Sequence, residues 1–282
     1  MKKIISLFVA LCLSMLVLAC DDQKAIQVEV SGSGQPILFL PGFTVPGEIW
    51  NPTVDQLKNK YQCHVVTLAG FDSMEPIEFP WLPKVNESLE NYIIDNKLED
   101  VIVIGHSLGG TIATWLASRE NSKISQLILV DALPAAGALM FPDFNPDNLS
   151  YDSPFNKQQL EMSQENFEQM ATGMSMGMSI NSEAQTQIKN WILAADRKTY
   201  VYGYTDYLKL DMREDLSKIN VPVTILAAAL PYGGEDMSRN SYETQYKNLK
   251  EYHLIISKDS AHFIMLDQPD WFKSQILKAL AE

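Results

Sequence analysis

The stretch "VIVIGHSLGG", residues 101–110, runs four β-branched apolar residues into Gly105, His106, Ser107, Leu108, Gly109 and Gly110. An apolar run of this kind suits a strand covered on both faces. The segment that follows, "LGGTIATWLASRE", spaces its apolar residues by three and four, as a helix does. Ser107 therefore falls at a strand-to-helix corner, with glycines two positions before it and two after. A Cβ at either glycine would strike the neighbouring strand or helix. The sharp turn pushes the Ser107 Oγ into open space at the carboxyl edge of a sheet, where α/β folds bind ligands. The helix N-terminus behind it adds N–H groups and a dipole that favour developing negative charge.

Working outward, the same kind of apolar run recurs at "PILFLPGF", "CHVVTLAGF", "SQLILVDA", "VPVTILAAA" and "EYHLIIS", and "AIQVEVSGSG" alternates like a half-buried strand. Helical patterns such as "TVDQLKNKY" and "VNESLENYIIDNKL" separate several of them. Strands alternating with helices predict right-handed crossovers, a mostly parallel central sheet and helices on both faces. Residues 134–212 break the alternation and read as helices and loops. They predict a helical cap inserted into a core made of residues 21–133 and 213–282. Five methionines, Met162, Met170, Met174, Met176 and Met178, cluster in this insertion. Either they pack the insertion's own core, or some of them line an apolar pocket where a flexible side chain suits varied shapes.

"GHSLGG" fits G-x-S-x-G in the strand-turn-helix setting that the motif requires. Here the chain resembles the α/β-hydrolase fold family, over about residues 26–280. The resemblance implies an eight-strand-type sheet, here lacking its first strand, and a serine hydrolase with a Ser, acid, His triad in that chain order. Ser107 would be the nucleophile. His262, in "KDSAHFIMLDQPDWF" just past the strand "HLIIS", would be the base. His64 and His253 belong to strands, and the ring of His106 should turn into the fold. The oxyanion donors would be the N–H of Leu108 and the N–H of Phe43 in "Pro41-Gly42-Phe43", where relatives commonly carry His-Gly-x. Two acids remain open. Relatives place theirs soon after the strand equivalent to "VPVTILAAA", where the first carboxylates are Glu235 and Asp236, and Asp236 is the candidate. Asp131, ending "LILVDA", occupies the position that haloalkane dehalogenases use.

What the resemblance implies is attack on an acyl carbon, an acyl-enzyme and hydrolysis by water, without a metal or organic cofactor. The expected partner is a small-molecule acyl substrate, a carboxylic ester above others. Amidases, peptidases and carbon–carbon bond hydrolases share the fold, and a non-catalytic binding protein that kept the corner is the rival from another class.

Composition bounds the rest. The chain has 282 residues, 46% of them hydrophobic, enough for one large core. Its net charge of −13, without a Lys/Arg cluster, disfavours nucleic acid as a partner. Residues 1–20, "MKKIISLFVALCLSMLVLAC", read as an export signal, and "VLAC" resembles the bacterial lipobox. Cys20 would then carry a lipid and anchor the protein to a membrane of the cell envelope. Of the three cysteines this leaves Cys63 without a partner, so no disulfide framework is expected.

Overall fold

The computed structural model of the protein describes residues 24–141 and 143–281. The expected export signal and the lipidation position Cys20 lie outside the described residues. Among those described, no helix is long and apolar enough to cross a membrane.

Seven strands, β1 (Ile26–Gly32), β2 (Gln35–Leu40), β3 (Tyr61–Leu68), β4 (Val101–His106), β5 (Ile124–Val130), β6 (Val223–Ala228) and β7 (His253–Ser257), form one sheet in the order β1-β3-β2-β4-β5-β6-β7. β1 runs antiparallel to β3, and the other neighbours are parallel. The strands follow from composition. β1 alternates polar and apolar residues and lies half-exposed at an edge, whereas β4 and β6 are apolar and buried along their whole length.

Because successive side chains of a strand point to opposite faces, each central run supplies two cores. Leu38, Leu40, Val101, Val103, Leu127 and Leu129 enter one, and Ile37, Phe39, Ile102, Ile104, Ile128 and Val130 enter the other. Helices α2 (Trp81–Asp95) and α3 (Leu108–Ala117) cover the first face, and α1 (Asn51–Leu57) covers the second. Cys63 is a free, fully buried member of the second core, and burial pushes its thiol up to about 11, which keeps it unreactive.

Between β5 and β6 the described residues form helices and turns without a strand, among them α4 (Ala136–Met140), α5 (Pro154–Glu161), α6 (Gln164–Met178), α7 (Ser182–Ala194), a π-helical turn over Thr199–Gly203, and α8 (Tyr204–Lys209). Short polar residues start three of them. The side chains of Ser153, Ser163 and Asn181 accept the otherwise unpaired N–H groups of Asn156, Asn166 and Glu183 at 3.1, 3.2 and 2.9 Å. Phe167 and Ala171 of α6 and Ile188 and Ile192 of α7 join the second core. After β6 come α9 (Glu235–Gln245), α10 (Ile264–Asp267) and α11 (Pro269–Ala279), and Phe272 and Ile276 of α11 complete that core.

α6 carries a glycine in its interior that packing does not require, since a Cβ on Gly173 would meet no atom within 4 Å. Gly173→Ala is expected to raise unfolding free energy by about 0.5–1 kcal/mol by removing backbone freedom from the unfolded chain. Urea unfolding measures this, and a lower midpoint would contradict the placement of Gly173 on an open helix surface.

Candidate active site

Ser107 joins β4 to α3 with φ 51° and ψ −122°, a conformation that costs a non-glycine residue roughly 1–3 kcal/mol. The surroundings hold it there. Its N–H donates to Val130 O at 2.9 Å, and its carbonyl accepts from Gly110 and Thr111 at 2.9 and 3.2 Å. The glycines of the motif are steric necessities. A Cβ on Gly105 would stand 2.4 Å from Gly109 O, and one on Gly109 would stand 2.3 Å from Leu40 O. The corner thus closes only because strand, helix and neighbouring strand touch backbone to backbone.

One strand over, β5 ends in Asp131, again at positive φ, 41°. Its N–H donates to Leu226 O at 2.8 Å. The carboxylate is buried and saturated: Oδ1 accepts from the Ala228 N–H and the Tyr242 hydroxyl, both at 2.8 Å, and Oδ2 lies 2.6 Å from His262 Nδ1. The other acid left open by the sequence lies elsewhere. Past β6 the chain makes a tight turn over Leu230–Tyr232, passes Gly233 and Gly234 at φ 86° and 131°, and enters α9. Asp236 is exposed in the first turn of that helix, where its charge acts on Lys258. The early glycine turn keeps it from looping back toward His262, and α9 instead sends Tyr242 to Asp131. Tyr242 has no local sequence signature and is missed by motif reading.

The loop bearing His262 is tied down on both sides. Asp267 Oδ2 accepts the Ala261 N–H at 2.8 Å, and the Phe263 N–H donates to Met178 O at 3.1 Å. Asp267 Oδ1 also accepts from the Ser179 hydroxyl and the Ile180 N–H, so one carboxylate joins the histidine loop to the end of α6. His106 is fully buried, as its position before the corner suggests, and its Nε2–H donates to the His262 carbonyl at 3.0 Å. Its ring centroid is 4.6 Å from that of His262 and 4.7 Å from that of Phe263. Burial first, and then the neighbouring His262, hold His106 well below the usual imidazole range.

Leu108 opens α3, so its N–H belongs to the first turn, which has no intrahelical acceptor. Phe43 lies across from it in the loop after β2. The Phe43 ring braces that loop. It sits against Phe71, Tyr204, Tyr200 and Trp81 at centroid distances of 4.9, 5.3, 5.9 and 6.0 Å. Gly42 beside it is obligatory, since a Cβ there would stand 2.9 Å from His106 Nδ1.

Ser107, Asp131, His262 and Phe43 line one cavity of about 320 Å³, to whose wall α4, α6, α7 and α8 also contribute. Of the clustered methionines, Met174 and Met178 face this cavity, Met162 and Met170 pack on the core, and Met176 is 63% exposed. Tyr207 also lines it. Burial pushes its phenol up to about 12, so it meets the cavity as a neutral hydroxyl. Among the described residues, no group of three or more His, Cys, Asp or Glu could hold a metal ion.

A strained serine at the end of one strand, with an aspartate and histidine paired beside it on a parallel sheet, defines a hydrolase class. Residues 37–275 match the alpha/beta hydrolase family, and the chain belongs to it. It is similar to pimeloyl-[acyl-carrier protein] methyl ester esterases. That of Vibrio cholerae is 25% identical over 210 residues, covering 73% of this chain and 80% of that protein. That of Legionella pneumophila is 25% identical over 256 residues, covering 88% and 95%. Among solved structures, an esterase from Exiguobacterium antarcticum superposes with a TM-score of 0.74 at 20% identity, covering 91% of this chain and 96% of that one.

The neutral, buried His106 makes stability depend on pH. Below about 6.5 the unfolded chain takes up a proton that folded His106 refuses, so unfolding free energy falls with falling pH, by up to about 1.4 kcal/mol per unit for one group. His64, also lowered by burial, adds in the same direction. Urea unfolding between neutral and mildly acidic pH should show this slope, and His106→Gln should flatten it. An unchanged slope in that variant would contradict the assignment.

Proposed function

We propose that the protein is a serine hydrolase that cleaves a carboxylic ester or related acyl substrate through an acyl-enzyme on Ser107. The observation that carries this reading is the 2.6 Å contact between His262 Nδ1 and Asp131 in the cavity that Ser107 enters. With Nδ1–H committed to the carboxylate, Nε2 is the nitrogen left to take the Ser107 proton as Oγ bonds to the acyl carbon. The carbonyl π electrons move onto oxygen, which the Leu108 and Phe43 N–H groups receive. Collapse of the intermediate breaks the bond to the leaving group, and that group departs with the proton held by His262. Water then repeats the sequence on the acyl-enzyme, giving up its proton to His262 and releasing the acid. Asp131 accepts the His262 Nδ1–H throughout and stabilises the imidazolium.

The ester class rests on the names of the similar proteins and on a cavity lined mainly by aliphatic, methionine and aromatic side chains. Helices α4–α8, within residues 134–212, would act as the cap. The Asp131–His262 pair speaks against the alternative reading as a non-catalytic binding protein that kept the corner. On the sequence of residues 1–20 alone, we place the enzyme in the bacterial cell envelope, with Cys20 as its lipid anchor.

Asp131→Asn is expected to lower kcat on p-nitrophenyl butyrate by about 10³–10⁴, because the wrong histidine tautomer is then favoured. Asp236→Asn should change it by less than about threefold, as expected of a surface carboxylate far from the reacting atoms. Steady-state kinetics on both variants, with folding checked by circular dichroism, decides. A large loss in Asp236→Asn alone would overturn the assignment of the acid.

A further inference from the structure

Behind the cavity that holds Ser107 lies a second, larger one of about 580 Å³, within the range of pockets that bury small ligands. Four residues belong to the walls of both: Met140, Met174, Tyr200 and Tyr204. They are joined in pairs across the boundary. The Tyr200 hydroxyl donates to Met174 Sδ at 3.3 Å, and the Tyr204 hydroxyl to Met140 Sδ at 3.4 Å. A thioether is a weak acceptor and methionine has three soft torsions, so such pairs part at low cost. Both tyrosine rings also touch Phe43, which places the boundary directly against a proposed oxyanion donor.

The chamber beyond is apolar where it matters for a ligand. Met170, Val201, Leu208, Leu149 and Phe155 line it, and among its described lining residues none is charged. An ionised group would find no opposite charge there to offset its lost hydration, whereas each methylene moved in from water gains about fourfold in binding.

We propose that the two Tyr–Met pairs form a partition that opens to pass an uncharged, unbranched hydrocarbon chain of the substrate into the second chamber, which selects esters with long apolar chains. The inference rests on the serine esterase reading and names its substrate class. Shape complementarity favours a chain over a bulky ring, because the way between the chambers runs between four side chains.

The test compares kcat/KM for p-nitrophenyl acetate, octanoate and laurate, which vary the acyl side, and for ethyl and dodecyl acetate, which vary the alcohol side. At least a tenfold preference for the long member is expected in one series, and that series identifies which side of the ester enters the chamber. Met170→Trp, which fills the chamber, should lower the long-to-short ratio about tenfold. Met174→Ala, which removes one leaf of the partition, should raise it severalfold, and it carries the test if the tryptophan variant does not fold. Indifference of the wild type to chain length in both series, or variants that move long and short substrates in parallel, would overturn the proposal while leaving the esterase intact. A folded wild type that cleaves none of these esters would reject both.

Discussion

The site depends on the register between β4 and β5. His106 pairs with Val130 across that boundary, so the next residues, Ser107 and Asp131, leave the sheet side by side. Both are non-glycine residues at positive φ, and each is held by an N–H bond to the neighbouring strand, Ser107 to Val130 and Asp131 to Leu226. A shift of one residue would turn every side chain of the strand to the opposite face and separate the pair. The apolar alternation of the two cores therefore fixes the geometry of the candidate site as well as the fold.

Around that boundary the rest of the structure acts as support. α9 clamps the segment after β5: Tyr242 reaches the Asp131 carboxylate, Tyr246 donates to Ala132 O at 2.9 Å, and Gln245 donates to Ala135 O at 3.1 Å. Saturating a buried carboxylate with donors removes most of the cost of keeping it charged in the interior. His262 arrives from the far side, on the loop after β7, and is held through its backbone by His106 and through its neighbours by Asp267 and Met178. Asp267 also binds the end of α6, so a displacement of that helix is transmitted to the histidine loop.

Much of this was legible in the sequence because it is local. Six strands announced themselves as apolar runs and β1 as an alternating one, and "GHSLGG" carries its own steric reason in Gly105 and Gly109. His262, singled out by its place after the last strand, lines the same cavity as Ser107. The acid was not decidable because Asp131 and Asp236 both follow apolar strands, and what separates them is the path of the chain past Ala228: an early turn at Gly233 and Gly234 makes Asp236 a surface residue. Tyr242 and Tyr207 were invisible for a related reason. Each reaches the site from the middle of a helix by tertiary contact, and a tyrosine in a helix has no motif to mark it. The sequence reading of Phe43 concerned only its N–H, whereas its ring, seated among four other aromatic rings, braces the loop.

The central claim is that the Ser107 hydroxyl is activated by the histidine–aspartate pair beside it. Treating the folded protein with a fluorophosphonate and locating the adduct by peptide mass spectrometry tests this most directly. The account predicts a single phosphonyl group on Ser107, formed rapidly and absent from Ser107→Ala. A folded wild type that stays unmodified, or that carries the label on another residue, would contradict it.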